Sequence, residues 1–398
     1  MTTDPPPGSP EAESRIPGVT STGSKRPRAF FGPGSLEGLP LKIVRSSGAR
    51  VWDEHGREFI DYVMGLGAVA LGYGHPVVNR AAIEAVAAGV VGPLPPPLEE
   101  SVANLLCRTL PGMEQVRFLK TGAEAGQAAV RLARVHTRRD RVLTCGYHGW
   151  LDWSQSEPGV PQVIRELQDE IPFNQVERSV DRIRQIGTEL AAVVIEPVVD
   201  GEPDVLWLEA VRAECERVGA VVVFDEIKTA FRIALGGGTE RYGVVPDLMV
   251  VGKALANGFP LAAVGGRRDI MSGATRTWIS STLATEQVSL AAAEATVGVM
   301  VRERVPEELH DLGSQLYGGL TELAKEYPTI LTGVRGLPEM CYLEFPDEAT
   351  AHRIVRSAAA RGVLWKSNAY NFVSLAHQPA LIDQTLNVLA EAAGELTG

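Results

Sequence analysis

AVVIEP at residues 192–197, VVVFDE at 221–226 and LMVVGK at 248–253 are three short apolar runs, each closed by a residue that carries chemistry. From Glu196 to Asp225 is 29 residues and from Asp225 to Lys253 is 28, the length of a strand, a crossover helix and the next strand. Two earlier runs, Val116–Leu119 and Val142–Thr144, extend the series upstream. Apolar strands alternating with helical segments require a parallel sheet covered on both faces, so the chain reads as α/β. In such sheets ligands bind outside the carboxyl ends of the strands, and the residues following each strand are the candidate site.

After the first strand, Lys120-Thr121-Gly122-Ala123 opens a helix whose free N–H groups form a ready phosphate site. After the second, Gly146-Tyr147-His148-Gly149-Trp150 brings a flat aromatic to the mouth; Glu196 and Asp225 follow the next two. Leu248–Gly266, LMVVGKALANGFPLAAVGG, reads as a buried strand returning as a hairpin, with Lys253 at the head of the turn. A lysine held there is desolvated, which leaves its amine able to attack a carbonyl. Singly, Tyr147 reads as core packing, Asp225 as a helix cap and Lys253 as a lysine reaching solvent. Together they meet the needs of a phosphorylated pyridine aldehyde: phosphate anchor, ring stacker, carboxylate for the ring nitrogen, lysine for the aldehyde.

Composition narrows the alternatives. The 398 residues carry 45% hydrophobic and 22% charged side chains with a net charge of −11, an ordinary globular profile without the basic runs that nucleic acid or anionic membrane requires. Cys107, Cys145, Cys215 and Cys341 lie far apart without metal-type spacing and read as the reduced thiols of a cytoplasmic protein; no metal is expected. No GxGxxG follows an expected strand, which argues against a nicotinamide enzyme.

Residues 1–14, rich in Pro, Ser and acid, read as a disordered tail, and residues 15–70 as an N-terminal segment of a smaller domain. Ala49–Tyr62 reads as an antiparallel hairpin, and the glycine-dense MGLGAVALGYGHP (64–76) as a lining or a tight turn. Pro76 starts a helix over Val77–Ala88, and Pro93–Pro97 reads as an extended connector. Residues 71–300 form the expected large domain, and 301–398 the remainder of the small one.

The stretches VRFLKTGAEAGQAAVRLAR, GYHGWLDW, VVVFDEIKTAFR and VGKALANGFPLAAVGG resemble the class III, fold-type-I pyridoxal-phosphate aminotransferases, within them most nearly the glutamate-1-semialdehyde aminomutases. The resemblance runs from Ile16 to Leu389 and implies a large, mainly parallel sheet domain with a smaller α+β domain from both chain ends. It implies that Lys253 carries pyridoxal 5'-phosphate as an internal aldimine, Asp225 pairs with the pyridine nitrogen and Tyr147 stacks on the ring. Gly122 and Ala123 bind phosphate, His148, Glu196 and Ile227 line the cofactor, and Thr282 in ISSTLATEQ reaches the phosphate of a neighbouring subunit, hence a homodimer with shared sites.

Departures from the aminomutase pattern bear on the substrate. Lys25 stands where those proteins carry serine, Leu66 where they carry a pocket tryptophan and Ala369 where they tend to have glutamate, while Arg28 keeps a carboxylate-associated arginine. The segment after Trp153 is shorter than their lid, and Ala123 lacks a hydroxyl that Thr121 is expected to replace. Lys228 reads equally as a substrate-facing charge or a solvated helix lysine. With Lys366 these residues make a basic pocket, expected to serve amino transfer from an amino-acid donor to a polar ketone: a cyclitol, keto-sugar or cyclic keto acid. Intramolecular transfer by an aminomutase is the alternative.

Overall fold

A computed structural model describes residues 14–367 and 369–397; the expected tail lies outside the described residues but for Ser14. The N-terminal segment forms three antiparallel strands, β1 (Ile43–Ser47), β2 (Arg50–Asp53) and β3 (Glu58–Asp61), the last two being the expected hairpin. Helix Pro76–Ala88 follows. Pro97 belongs to the next helix, Pro97–Thr109, rather than to an extended connector, because a proline fits the first helical turn, where no N–H is needed.

Seven strands then build the main sheet: β4 (Gln115–Leu119), β5 (Arg141–Cys145), β6 (Gln168–Glu170), β7 (Leu190–Ile195), β8 (Val221–Asp225), β9 (Leu248–Val251) and β10 (Ala262–Gly266). Their order is β4-β10-β9-β8-β7-β5-β6. The pairs from β9 through β6 are parallel, whereas β10 runs against both β9 and β4. The expected strands are therefore not one continuous parallel set, since β10 separates β4 from β9. Running against both neighbours, β10 leaves β4 pointing the same way as β9, so Leu119 opens on the same mouth. The edge strand β6 has no apolar run and was not legible.

Alternation along the strands feeds two cores. Val221, Val223, Leu248 and Val250 pack beneath the helix Gly122–Thr137, while Val222, Phe224, Val193 and Ile195 pack on Trp207, Val211 and Ile183. Each such side chain, fully withdrawn from water, contributes roughly 1.5–3 kcal/mol.

The chain ends meet. β13 (Val363–Leu364) adds in parallel to β3, while β11 (Gly333–Leu337), β12 (Met340–Glu344) and β14 (Asn371–Phe372) form a third sheet. No helix among the described residues is long and apolar enough to cross a membrane, and no group of three or more His, Cys, Asp or Glu among them could hold a metal ion.

Candidate active site

Lys253 sits where β9 ends. Gly252 is extended (φ −177°) and Lys253 turns into the left-handed region (φ +44°), a strained conformation for a side chain with a Cβ that costs on the order of 1–3 kcal/mol. A Cβ at Gly252 would lie 2.8 Å from Ile227 Cδ1, so a larger residue there would push the end of the Ile227 side chain aside. Burial, then the neighbouring Lys228 ammonium, pushes Lys253 below the usual lysine range; Glu196 and Asp225 oppose that shift, and Arg232 adds to it.

Asp225 ends β8. Its Oδ2 lies 2.8 Å from His148 Nδ1, and its Oδ1 accepts the Ile227 N–H at 3.2 Å. With Asp225 a carboxylate, His148 donates through Nδ1. Its ring stacks on Trp153 at 5.9 Å, and Nε2 is buried without a partner among the described residues. Capping falls to Glu226 instead. Its two oxygens accept the Gly238 and Thr239 N–H groups at 2.8 and 2.7 Å, and burial raises its pKa.

Glu196 follows β7. Oε2 accepts the Tyr147 N–H at 2.9 Å, and Oε1 lies 3.1 Å from Lys228 Nζ. Tyr147 is thus anchored through its backbone while the residue is 68% exposed.

Thr121 caps the helix Gly122–Thr137 through a reciprocal pair with Glu124: Oγ1 accepts the Glu124 N–H at 3.2 Å, and Glu124 Oε2 accepts the Thr121 N–H at 2.9 Å. The Thr121 hydroxyl also donates to Glu124 Oε2 at 3.1 Å, so it serves the helix cap and does not stand in for the hydroxyl Ala123 lacks. The helix itself offers no acceptor to the N–H groups of Gly122 and Ala123, its first two residues. A Cβ at Gly122 would meet Ile227 Cδ1 at 2.9 Å, which makes Ile227 the wall between the phosphate turn and the Lys253 turn.

These features fit pyridoxal phosphate: unpaired helix N–H groups for phosphate, an apolar wall, a carboxylate fixed from two sides and a desolvated amine at one mouth. The class III aminotransferase profile matches residues 33–392. The chain belongs to the class III aminotransferases. A glutamate-1-semialdehyde 2,1-aminomutase from Neisseria gonorrhoeae (strain NCCP11945) is 33% identical over 401 residues, spanning 92% of this chain and 93% of that protein. The pyridoxal-phosphate form of the FumI protein of Sphingopyxis sp. MTA144 superposes with a TM-score of 0.90 over 96% of this chain and 94% of that one, sharing its fold at 24% identity. A β-phenylalanine aminotransferase from Variovorax paradoxus gives 0.86 at 25% identity over 96% and 92%. The cofactor of this aminotransferase is pyridoxal phosphate.

The remaining sequence candidates divide. Lys228 is neither solvated nor on a helix: its side chain is 10% exposed, paired with Glu196, and its Nζ lies 4.7 Å over the Tyr370 ring. Lys366 is buried, donates to Ser24 O at 3.1 Å and straps the N-terminal segment down, because a desolvated ammonium needs a carbonyl. The expected four-member basic pocket is therefore smaller. Arg28 donates to Gly34 O at 3.2 Å. Lys25 borders a cavity of ≈ 520 Å³ with Lys42, Asp61 and Tyr73. Leu66, partly buried, occupies a left-handed turn position (φ +60°), and Thr282 is exposed.

Sequence reasoning missed Asn257 in the aminotransferase. Its Oδ1 accepts the Ala70 and Leu71 N–H groups, and its Nδ2 donates to Gly72 O, pinning the glycine-dense stretch to the Lys253 turn. In the sequence it is half of an Asn-Gly pair and reads only as a turn. Trp153, which backs His148, and Tyr370, which covers Lys228, carry no sequence signal beyond being aromatic.

Proposed function

We propose that this enzyme is an intermolecular aminotransferase, moving an amino group from an amino-acid donor to a polar ketone of the cyclitol, keto-sugar or cyclic keto acid class. The observation carrying the substrate class is the cavity beside Gly65, whose rim mixes ammonium and hydroxyl groups (Lys25, Lys42, Ser24, Tyr73) over apolar walls. Gly65 belongs to the glycine-dense stretch that Asn257 pins to the Lys253 turn through Ala70, Leu71 and Gly72, and this link supports the reading.

Pyridoxal phosphate, when bound, supplies the aldehyde that takes up nitrogen and a ring that takes up the electron pair left on the substrate carbon. Gly122 and Ala123 would hold its phosphate through their N–H groups, and Asp225, oriented by His148 and the Ile227 N–H, would keep a proton on the ring nitrogen. Lys253 Nζ takes the proton from the amine-bearing carbon of the donor and, in the reverse half, returns one to the former carbonyl carbon of the acceptor. The donor leaves as a keto compound and the acceptor as an amine.

Two copies share the sites in this reading. Tyr147, Trp150 and Trp278 expose 68, 75 and 81% of their surface, apolar area that a second copy would cover, and Thr282 lies close by in sequence to Trp278. The second reading, an aminomutase, is favoured by the 33% identity to proteins of that name. The test is a paired assay of the purified enzyme. Formation of an amine product only when an amino donor and a polar ketone are both present supports the proposal; conversion of glutamate-1-semialdehyde to 5-aminolevulinate without a donor refutes it.

A further inference from the structure

Lys228 lies with Ile227 in the turn that follows Asp225, yet it faces a carboxylate instead of solvent. Its Nζ lies 3.1 Å from Glu196 Oε1 and 4.7 Å from the Tyr370 ring centroid, with the side chain 10% exposed. Ile227 fills the space against Gly252, so Lys228 and Lys253 each follow a residue in mutual contact. Strands β7, β8 and β9 end side by side, Ile195 paired with Phe224 and Asp225 with Val250, which brings Glu196, Asp225 and Lys253 to neighbouring strand ends; Lys228 and Arg232 act on the charge of Lys253 as well. Two of these are already engaged elsewhere: Asp225 with His148, and Arg232 with the Val373 and Gly67 carbonyls. Glu196 is the carboxylate whose pairing decides the matter. Left alone beside Lys253 it would form an ion pair with it and hold the proton on Nζ.

We propose that Lys228 is a positioning residue for amino transfer: by serving as the ion-pair partner of Glu196, it denies Lys253 that partner and leaves the Lys253 amine free to react. Cations placed beside a reacting lysine act in this sense generally, since a second positive charge disfavours protonation of the first. The direction of the Lys253 shift, in which Lys228 is the largest contribution after burial, agrees. Tyr370, whose hydroxyl donates to Val199 O, fixes the face on which the ammonium rests. The proposal rests on Lys253 being the reacting lysine.

The test uses full-length protein stripped of cofactor. Trace acetic anhydride labelling across a pH series, followed by peptide mass spectrometry, gives the pH at which Lys253 becomes half reactive. Lys228→Gln is expected to raise that midpoint by about one unit or more, a tenfold loss of free amine below it. Lys228→Arg, which keeps the charge, is expected to leave it in place, and adding Glu196→Gln to Lys228→Gln is expected to bring it back down. If Lys228→Gln stays within about 0.3 unit of wild type with an unchanged circular dichroism spectrum, the proposal is overturned. Borohydride reduction of the cofactor-loaded protein separately locates the reacting lysine: a label elsewhere than Lys253 overturns the underlying reading, whatever the midpoints.

Discussion

Replacing Asn257 removes the clamp between the Lys253 turn and the glycine-dense stretch. In Asn257→Ala, the N–H groups of Ala70 and Leu71, accepted now at 3.0 and 2.9 Å, lose their acceptor inside the protein, and Gly72 O loses a donor at 3.0 Å. Stranding two buried amides and breaking a third bond costs about 3–4 kcal/mol, allowing for partial relaxation. Asn257 also adopts φ +46°, which asparagine tolerates and alanine does not, adding roughly 1 kcal/mol. Asn257→Gly removes the backbone component and keeps the lost bonds, while Asn257→Asp keeps both acceptors but sets a buried carboxylate oxygen against the Gly72 carbonyl. Urea unfolding followed by tryptophan fluorescence should place Ala below Gly, with Ala about 4–5 kcal/mol below wild type. Cofactor retention should fall in the same order, because the turn carrying Lys253 is what loosens. An alanine variant within about 1 kcal/mol of wild type would refute the reasoning, since no buried amide could then have been stranded.

Other consequences can be checked alongside. Asp225→Asn, which leaves the carboxyl shape without its charge, should lower kcat by about 10³, and His148→Phe, which removes one charge-assisted bond of about 2 kcal/mol, by roughly 30-fold; single-turnover kinetics with a fast donor would measure both. His377 is held neutral in the fold down to about 4 by burial, while the unfolded chain takes up that proton near the ordinary histidine value. The unfolded state therefore binds more protons in that window, and wild type should lose about 3 kcal/mol more stability than His377→Gln between pH 6.5 and 4, read as the difference in urea midpoints. If sites are shared, inactive Lys253→Ala and phosphate-repelling Thr282→Glu proteins, unfolded and refolded together in equal amounts, should regain roughly a quarter of wild-type activity through mixed dimers. No recovery would count against shared sites.

The amino-acid sequence by itself determined the alternation of apolar strands with helices, the residues at each strand end and the class III resemblance, all set by short continuous apolar runs and by short contiguous motifs. Lys253, Asp225, His148, Glu196 and the Gly122 turn were legible because each follows its own strand, and a parallel sheet brings strand ends to one mouth without further information. Which charge meets which was decided only in three dimensions. Lys228 pairs with a glutamate 32 residues away and Lys366 with a carbonyl more than 300 residues away, so neither was the free cation its type had implied. Asn257 looked like a turn residue because its three partners sit some 185 residues earlier in the chain. A side chain's charge and hydrogen-bonding capacity are written locally; the partner that satisfies them in a buried site is chosen by packing, because desolvation forces each polar group onto whatever the fold brings within about 3 Å.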